Sequence, residues 1–113
     1  MIFDIKKVQI TVTVPYLFVN VVREAIWKTG VGVIGNYTNC SIASKVVGTF
    51  KPNTEAKPFI GKSNSLESVE EVQVEVGAKI EDVKKVIAAI KKVHPYEEVA
   101  INIVPLLDEK DFN

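Results

Sequence analysis

The chain's only histidine lies in a short run of residues that could do chemistry, His94-Pro95-Tyr96-Glu97-Glu98. An imidazole beside a carboxylate can act as a general base, as a pH-sensitive ligand contact or as a metal ligand, with Glu97 or Glu98 as its partner. A structural role is the alternative. Pro95 would end a helix, and His94 would cap the last helical carbonyls at the negative end of the helix dipole. The sequence leaves both interpretations open.

The same run does not provide a set of metal ligands. Catalytic zinc usually takes three protein ligands, whereas the sequence has one histidine and one cysteine. A metal ion would need Cys40, carboxylates or a second subunit to complete its coordination. We therefore assign no metal ligand, and the cofactor stays unidentified.

A second candidate segment is the run Gly35-Asn36-Tyr37-Thr38-Asn39-Cys40. Glycine allows backbone N–H groups to approach an anion, so the run could form a small-ligand loop. It is not a phosphate loop, because it lacks the Lys-Ser/Thr ending and precedes no predicted helix. The alternative is a structural turn that leads into a strand. Cys40 has no adjacent base in the sequence and is predicted to be a buried, unreactive thiol.

Both runs lie between predicted regular elements, where proteins tend to place functional groups. Alternating apolar residues predict strands, and apolar residues at helical spacing predict helices. The predicted strands cover Val8–Val14, Ser41–Lys51, Glu71–Val76 and Val99–Val104, and the predicted helices cover Tyr16–Thr29 and Ile80–Lys92.

Glycines and prolines mark the predicted boundaries of these elements. Gly30 is expected to end the first helix in a left-handed conformation. Gly77 is expected to break the third strand, and Pro105 to close the last one. Residues 52–65 form a long loop with many polar residues. Glu71, Gln73 and Glu75 are interpreted as the solvated face of a strand.

The order strand, helix, strand, strand, helix, strand predicts an α+β domain over residues 1–113. Its economical arrangement is a ferredoxin-like βαββαβ fold, with four antiparallel strands and both helices on one face. The tail from about Asp108 is expected to be frayed.

Composition narrows the class of partner. Acidic and basic residues balance at 14 each, so no basic stripe indicates nucleic acid. The apolar runs are too short to span a bilayer, and the charged first residues do not resemble a signal peptide. A single cysteine fits a reducing compartment. We expect a cytoplasmic protein that binds neither nucleic acid nor membrane.

Five short motifs, in order along the chain, resemble the pattern of one known family. They are Gly32-Val33-Ile34-Gly35-Asn36-Tyr37-Thr38-Asn39-Cys40-Ser41, Gly48-Thr49-Phe50-Lys51-Pro52, Pro58-Phe59-Ile60-Gly61, Val69-Glu70-Glu71-Val72 and His94-Pro95-Tyr96-Glu97-Glu98-Val99-Ala100. Together they resemble the inserted domain of the Nif-three-like family (NGG-one-interacting factor three), as found in its longer bacterial members. The resemblance covers about residues 6–107.

This resemblance implies a free-standing version of an accessory domain. The inserted domain is similar in fold to the PII signalling proteins and the CutA divalent-cation tolerance proteins, which are ferredoxin-like and characteristically trimeric. It therefore implies a PII/CutA-like homo-oligomer, with a trimer favoured over a dimer. The longer members build a dinuclear metal site from histidines and acidic residues in flanking domains. This sequence lacks those histidines, so neither hydrolase-like chemistry nor the cyclohydrolase label is carried over.

The leading hypothesis is a non-enzymatic, oligomeric regulatory module that binds a small ligand or an ion. Its predicted ligand-binding residues, within one subunit or across a subunit boundary, are Gly35, Asn36, Tyr37, Cys40, His94, Tyr96, Glu97 and Glu98. A second hypothesis is an interaction module that docks on a separately encoded metal-site protein. A third is an enzyme that uses His94 with Glu97 or Glu98. That enzyme would require the imidazole in an open cleft, within hydrogen-bond reach of a carboxylate.

Overall fold

The observed elements follow the predicted order. The computed structural model describes residues 3–112. Its strands are β1 (Lys7–Pro15), β2 (Ile42–Phe50), β3 (Glu67–Lys79) and β4 (Ile101–Leu106), and its helices are α1 (Val19–Lys28) and α2 (Val83–Val93). Short 3-10 helices, Tyr16–Phe18 and Ile80–Asp82, precede α1 and α2. None of the helices within residues 3–112 is long and apolar enough to cross a membrane.

The strands form one antiparallel sheet in the order β2-β3-β1-β4, which is the predicted ferredoxin-like topology. Alternate residues of a strand point to opposite faces of the sheet. One face of the two central strands therefore buries a continuous set of apolar side chains beneath α1 and α2. The core consists of Val8, Ile10, Val12, Val14, Val19, Val22, Ile26, Val31, Val72, Val74, Val76, Ala78, Val86 and Ile90.

The other face of the sheet, here called the open face, carries the alternate residues of the central strands. Thr11 lies opposite Glu75 and Thr13 opposite Gln73, and all four are half-buried. Because β1 and β2 both run antiparallel to β3, they end on the same side. We call this side the Pro15 end of the sheet, and the opposite side the Lys7 end.

The first helix ends as predicted. Gly30 has a φ of 97°, a left-handed value that glycine adopts without steric cost. Its N–H donates to the carbonyl oxygen of Trp27 at 2.9 Å. The helix therefore stops with one of its last carbonyls satisfied.

Two predicted strand boundaries are wrong. Gly77 does not break β3 but pairs with Gln9, and the strand continues to Lys79. Pro105 lies inside β4 opposite Val8 instead of closing the strand. β4 is an edge strand, so the missing proline N–H need not disturb the ladder.

The tail after β4, whose fraying stays a prediction, contains a short helical turn. Glu109–Phe112 form a 3-10 helix. Nζ of Lys7 lies 2.7 Å from Oδ2 of Asp108, which joins this segment to the start of β1.

Candidate functional site

His94 follows α2 directly and is buried, with 7% of its surface exposed. Its Nε2 lies 2.8 Å from the carbonyl oxygen of Thr13 in β1. The N–H of Tyr96 donates to His94 Nδ1 at 3.1 Å. Because a carbonyl only accepts and an N–H only donates, Nε2 carries the proton and the ring is neutral. The imidazole therefore fastens the turn after α2 to the Pro15 end of β1.

These contacts overturn two interpretations of His94. The ring does not cap the last carbonyls of α2, because the His94 backbone N–H donates to Ile90 at 2.9 Å while the side chain bonds elsewhere. Nor does the ring meet the requirement of the enzyme hypothesis. It is buried and bonded to backbone groups alone among residues 3–112, with no carboxylate in reach. His94 is a positioning residue.

Tyr96 lies next to this anchored ring and belongs to an aromatic cluster. Its ring centroid is 4.9 Å from that of His94, 6.3 Å from Phe50 and 6.4 Å from Phe59. Phe59 in turn packs edge-on against Phe18 at 5.6 Å. The cluster joins the turn after α2, the end of β2 and the long loop at residues 51–65.

The hydroxyl of Tyr96 is buried without a hydrogen-bond partner among the residues the structure describes. Burial raises the pKa of Tyr96, and the neighbouring Glu71 carboxylate raises it further. The two groups are thus close enough to interact, but no hydrogen bond of ordinary geometry joins them. A buried polar atom without a partner is rare and often marks a functional site.

Glu71 occupies an unusual position for a strand carboxylate. It projects from β3 onto the open face, yet only 7% of its surface is exposed. None of the ion pairs within residues 3–112 includes it. On the neighbouring strand, a β-carbon at Gly48 would overlap Oε1 of Glu71. Glycine at position 48 therefore makes room for this side chain.

These groups surround a cavity of about 600 Å³ at the Pro15 end of the open face. That volume lies in the range of small-molecule sites. The floor is the sheet, and the walls are the loop at residues 51–65 and the turn at residues 94–100. The lining residues that bear polar side chains include Thr13, Lys51, Glu71, Gln73, Tyr96, Glu97 and Glu98, and the aromatic ones are Phe50, Phe59 and Tyr96.

Glu97 holds the loop and the turn together. Its Oε1 accepts a hydrogen bond from the N–H of Lys57 at 2.9 Å. The loop is also closed on itself, since the N–H of Asn64 donates to the carbonyl oxygen of Pro52 at 2.6 Å. Glu98 is exposed at the cavity. Of the predicted site residues, Tyr96, Glu97 and Glu98 line this cavity, and His94 supports it.

The other predicted segment, Gly35–Cys40, lies at the Lys7 end of the sheet. The N–H of Gly32 donates to the carbonyl oxygen of Gly77 at 3.1 Å, and Gly77 pairs with the first part of β1. Trp27 Nε1 donates to the carbonyl oxygen of Cys40 at 3.2 Å. Gly35, with a φ of 57°, forms a tight turn. Within one subunit this segment and His94 do not line one cavity.

The remaining residues of this segment are exposed or half-buried. Asn36 and Tyr37 are exposed, and Cys40 is half-buried where burial was predicted. Ile34 and Tyr37 exchange backbone hydrogen bonds at 2.9 Å, which makes the segment a small closed turn. No group of three or more His, Cys, Asp and Glu side chains within residues 3–112 is arranged to hold a metal ion.

Sequence reasoning missed the cavity's central residues. Glu71 was assigned to a solvated face because alternation alone cannot reveal that a loop covers this end of the sheet. Gly48, Phe50 and Phe59 lie within the motifs that carry the family resemblance. That was the signal that could have identified them.

We predict that Gly48→Ala destabilises the protein modestly, by about 1 kcal/mol, because the added methyl group displaces the flexible Glu71 side chain from its buried position. Chemical denaturation measures the free energy of unfolding. The same substitution made in a Glu71→Ala background should cost less, because the clash is removed. Gly77→Ala is the control, since its β-carbon would meet no atom within 4 Å. Equal losses in both backgrounds would contradict the packing described.

We predict that the folded protein loses stability as pH rises above about 10, in part through Tyr96. The folded-state pKa of Tyr96 is raised above its ordinary value of 10.0. Its contribution is thus fully present below pH 10 and is lost as pH rises further. Tyr96→Phe should show a smaller fall in unfolding free energy between about pH 9 and pH 11. Tyr37→Phe, at a 75% exposed position, should fall as the wild type does, and identical profiles for all three proteins would refute the prediction.

Comparison with known proteins shows which family the chain belongs to. No protein-family model matches the chain. A GTP cyclohydrolase 1 type 2 homolog of Halalkalibacterium halodurans is 46% identical over 101 residues, which cover 89% of this chain and 27% of that protein. The solved structure of a Bacillus cereus protein related to NIF3 matches with a TM-score of 0.79 and 36% identity, over 95% of this chain and 27% of the other.

The fold is also found in proteins of low sequence identity to this chain. The periplasmic divalent cation tolerance protein CutA of Archaeoglobus fulgidus matches with a TM-score of 0.69 and 16% identity, over 94% of this chain and 90% of that one. The chain therefore spans about a quarter of the NIF3-related proteins that it matches, but nearly all of CutA. The chain belongs to the Nif-three-like family, matches one domain of its longer members, and has the PII/CutA-like fold.

Proposed function

We propose that this chain is a regulatory module that binds a small ligand in the cavity at the Pro15 end of the sheet. The observation that carries the proposal is the pair of buried polar groups at this cavity, the Glu71 carboxylate and the Tyr96 hydroxyl. Within residues 3–112 the hydroxyl has no hydrogen-bond partner of ordinary geometry and the carboxylate has no ion-pair partner, and burying a polar group without a partner is costly. A bound ligand would supply the missing partner.

Each predicted residue of the turn has a role in this proposal. Tyr96 forms a wall, Glu97 tethers the loop at residues 51–65, and Glu98 contributes charge at the opening. His94 acts only by positioning this turn against β1. The site therefore binds a ligand without requiring any of its own groups to transfer a proton.

The names of the relatives do not decide the activity of this chain. The cyclohydrolase name belongs to proteins of which the chain covers about a quarter. The CutA match, at 16% identity, supports the fold and no shared ligand. The proposal rests instead on the cavity.

We predict that at least one compound from a panel of metabolites and divalent metal ions raises the melting temperature of the wild type. Ala100→Trp should lose this shift, because Ala100 lines the cavity at an exposed position outside the regular strands. The added indole would occupy the ligand's volume without entering the core. Differential scanning fluorimetry measures both proteins.

The matched control for that experiment is Asn102→Trp. Asn102 is exposed on the same face and does not line the cavity, so this variant should respond as the wild type does. A panel in which no compound selectively shifts the wild type would count against the proposed function. A melting-temperature shift that persists in Ala100→Trp would show that the ligand binds outside this cavity.

We also propose that the chain self-associates, as a trimer in preference to a dimer. Both edge strands carry exposed apolar side chains, Ile42 and Val47 on β2 and Ile103 and Val104 on β4. Exposed apolar edge strands favour pairing with another chain. In such an assembly the Gly35–Cys40 segment of one subunit could approach the cavity of another, which is how the two predicted segments would form one site.

We predict a particle of three times the chain mass by size-exclusion chromatography with multi-angle light scattering. Val47→Lys should lower this mass, because it places a charge on the β2 edge. Val21→Lys is the control, since Val21 is also exposed (45%) but lies on α1, away from both edge strands. A wild-type mass equal to one chain would contradict self-association, and twice the chain mass would replace the trimer by a dimer.

A further inference from the structure

We infer that the ligand of this cavity is a small organic cation, an alkyl ammonium joined to a flat apolar group. The ammonium would lie against the Glu71 carboxylate, and the apolar group would pack against Phe50, Phe59 and the ring of Tyr96. This inference rests on the proposed function and goes further by naming the chemical class that the cavity selects.

The sign of the ligand's charge follows from the charges at the cavity. Glu71 is 7% exposed and forms no ion pair within residues 3–112. Glu97 and Glu98 add two further carboxylates to the lining, against the single ammonium of Lys51. An anionic ligand would be repelled by this excess of negative charge, and repulsion is stronger where water is excluded. A cationic ligand would compensate the buried carboxylate.

The hydrogen-bonding groups fit an ammonium better than a neutral polar group. An ammonium has three donors and no acceptor. Carboxylate oxygens accept such donors, and Glu71 brings one to the cavity lining, while the Tyr96 hydroxyl lies buried beside it. Gln73 adds a side-chain oxygen nearby.

The aromatic cluster gives the ligand its apolar part. The ring of Tyr96 lies 6.3 Å from Phe50 and 6.4 Å from Phe59, and all three line the cavity. Aromatic faces attract cations within about 6 Å of their centroids and also pack against flat apolar groups. A volume of about 600 Å³ can hold a cation together with a ring.

The donor set favours an organic cation over a metal ion. Oxygen-binding divalent metals take about six ligands from several groups. The structure has no group of three or more His, Cys, Asp and Glu side chains arranged for a metal between residues 3 and 112. A single buried carboxylate matches a single ammonium instead.

The test compares three probes of similar shape that differ in charge: 2-phenylethylammonium, 2-phenylethanol and phenylacetate. Binding is followed by NMR through the backbone amide signals of Gly48, Phe50 and Tyr96, which line the cavity. We expect the ammonium to bind roughly tenfold or more tightly than the alcohol, the usual gain of a charge-assisted hydrogen bond. Phenylacetate should bind most weakly.

Substitutions then assign the preference to its residues. Glu71→Gln should abolish the advantage of the ammonium over the alcohol. Glu70→Gln is the matched control, because Glu70 is the adjacent residue of β3 and is exposed on the other face. If Glu71→Gln fails to fold, Glu98→Gln provides the second test, because Glu98 is an exposed carboxylate of the cavity lining. It should weaken ammonium binding and leave alcohol binding unchanged.

Three outcomes would overturn the inference. The alcohol or phenylacetate could shift the cavity amides with the affinity of the ammonium, which would leave the proposed function standing with another ligand class. All three probes could leave these amides unshifted, in which case the wider panel of metabolites and metals decides the proposed function separately. A blocked lysine, Nα-acetyl-lysine methylamide, could bind more tightly than 2-phenylethylammonium, which would identify a partner protein's lysine as the occupant.

Discussion

The hydrogen bond between His94 Nε2 and the Thr13 carbonyl determines where the candidate site forms. It joins the turn after α2 to the end of β1, segments that lie 81 residues apart in the sequence. With this turn fixed, Tyr96 lies over the open face beside Glu71. The histidine thus acts through geometry, and its neutral, buried ring suits that task because a charged ring would be costly to bury.

The cavity exists because a loop and a turn cover part of a sheet face that a ferredoxin-like fold otherwise leaves open. The helices bury the opposite face with a continuous aliphatic core. On the open face, the loop at residues 51–65 and the turn at residues 94–100 cover only the Pro15 end. Their single side-chain tether, Glu97 to the Lys57 N–H, is at the surface and modest in strength. The aromatic contacts of Phe59 with Phe18 and Tyr96 supply the rest.

Local patterns predicted the scaffold, whereas the site depended on contacts between distant segments. The alternation in β1 and the helical spacing in α2 determine which side is buried, so the fold and most element positions could be predicted. The expectations that Gly77 breaks a strand and that Pro105 closes one were wrong. Gly77 is held in the ladder by its partner Gln9, and Pro105 lies on an edge strand, where its missing N–H need not disturb the ladder. The role of His94 could not be predicted, because its partner Thr13 lies 81 residues earlier in the chain. The burial of Glu71 required knowledge of the loop above it.

Gly48 and Glu71 have a consequence for the evolutionary history of this domain. Since a side chain at position 48 would displace the Glu71 carboxylate from its present position, the two positions are energetically coupled. A lineage that replaces the glycine first crosses a destabilised intermediate, whereas one that first shortens Glu71 does not. The order of substitutions is therefore constrained. A chain that keeps the glycine retains space for an acidic side chain at position 71, and one that replaces it needs that side chain to shorten or to turn away from the sheet.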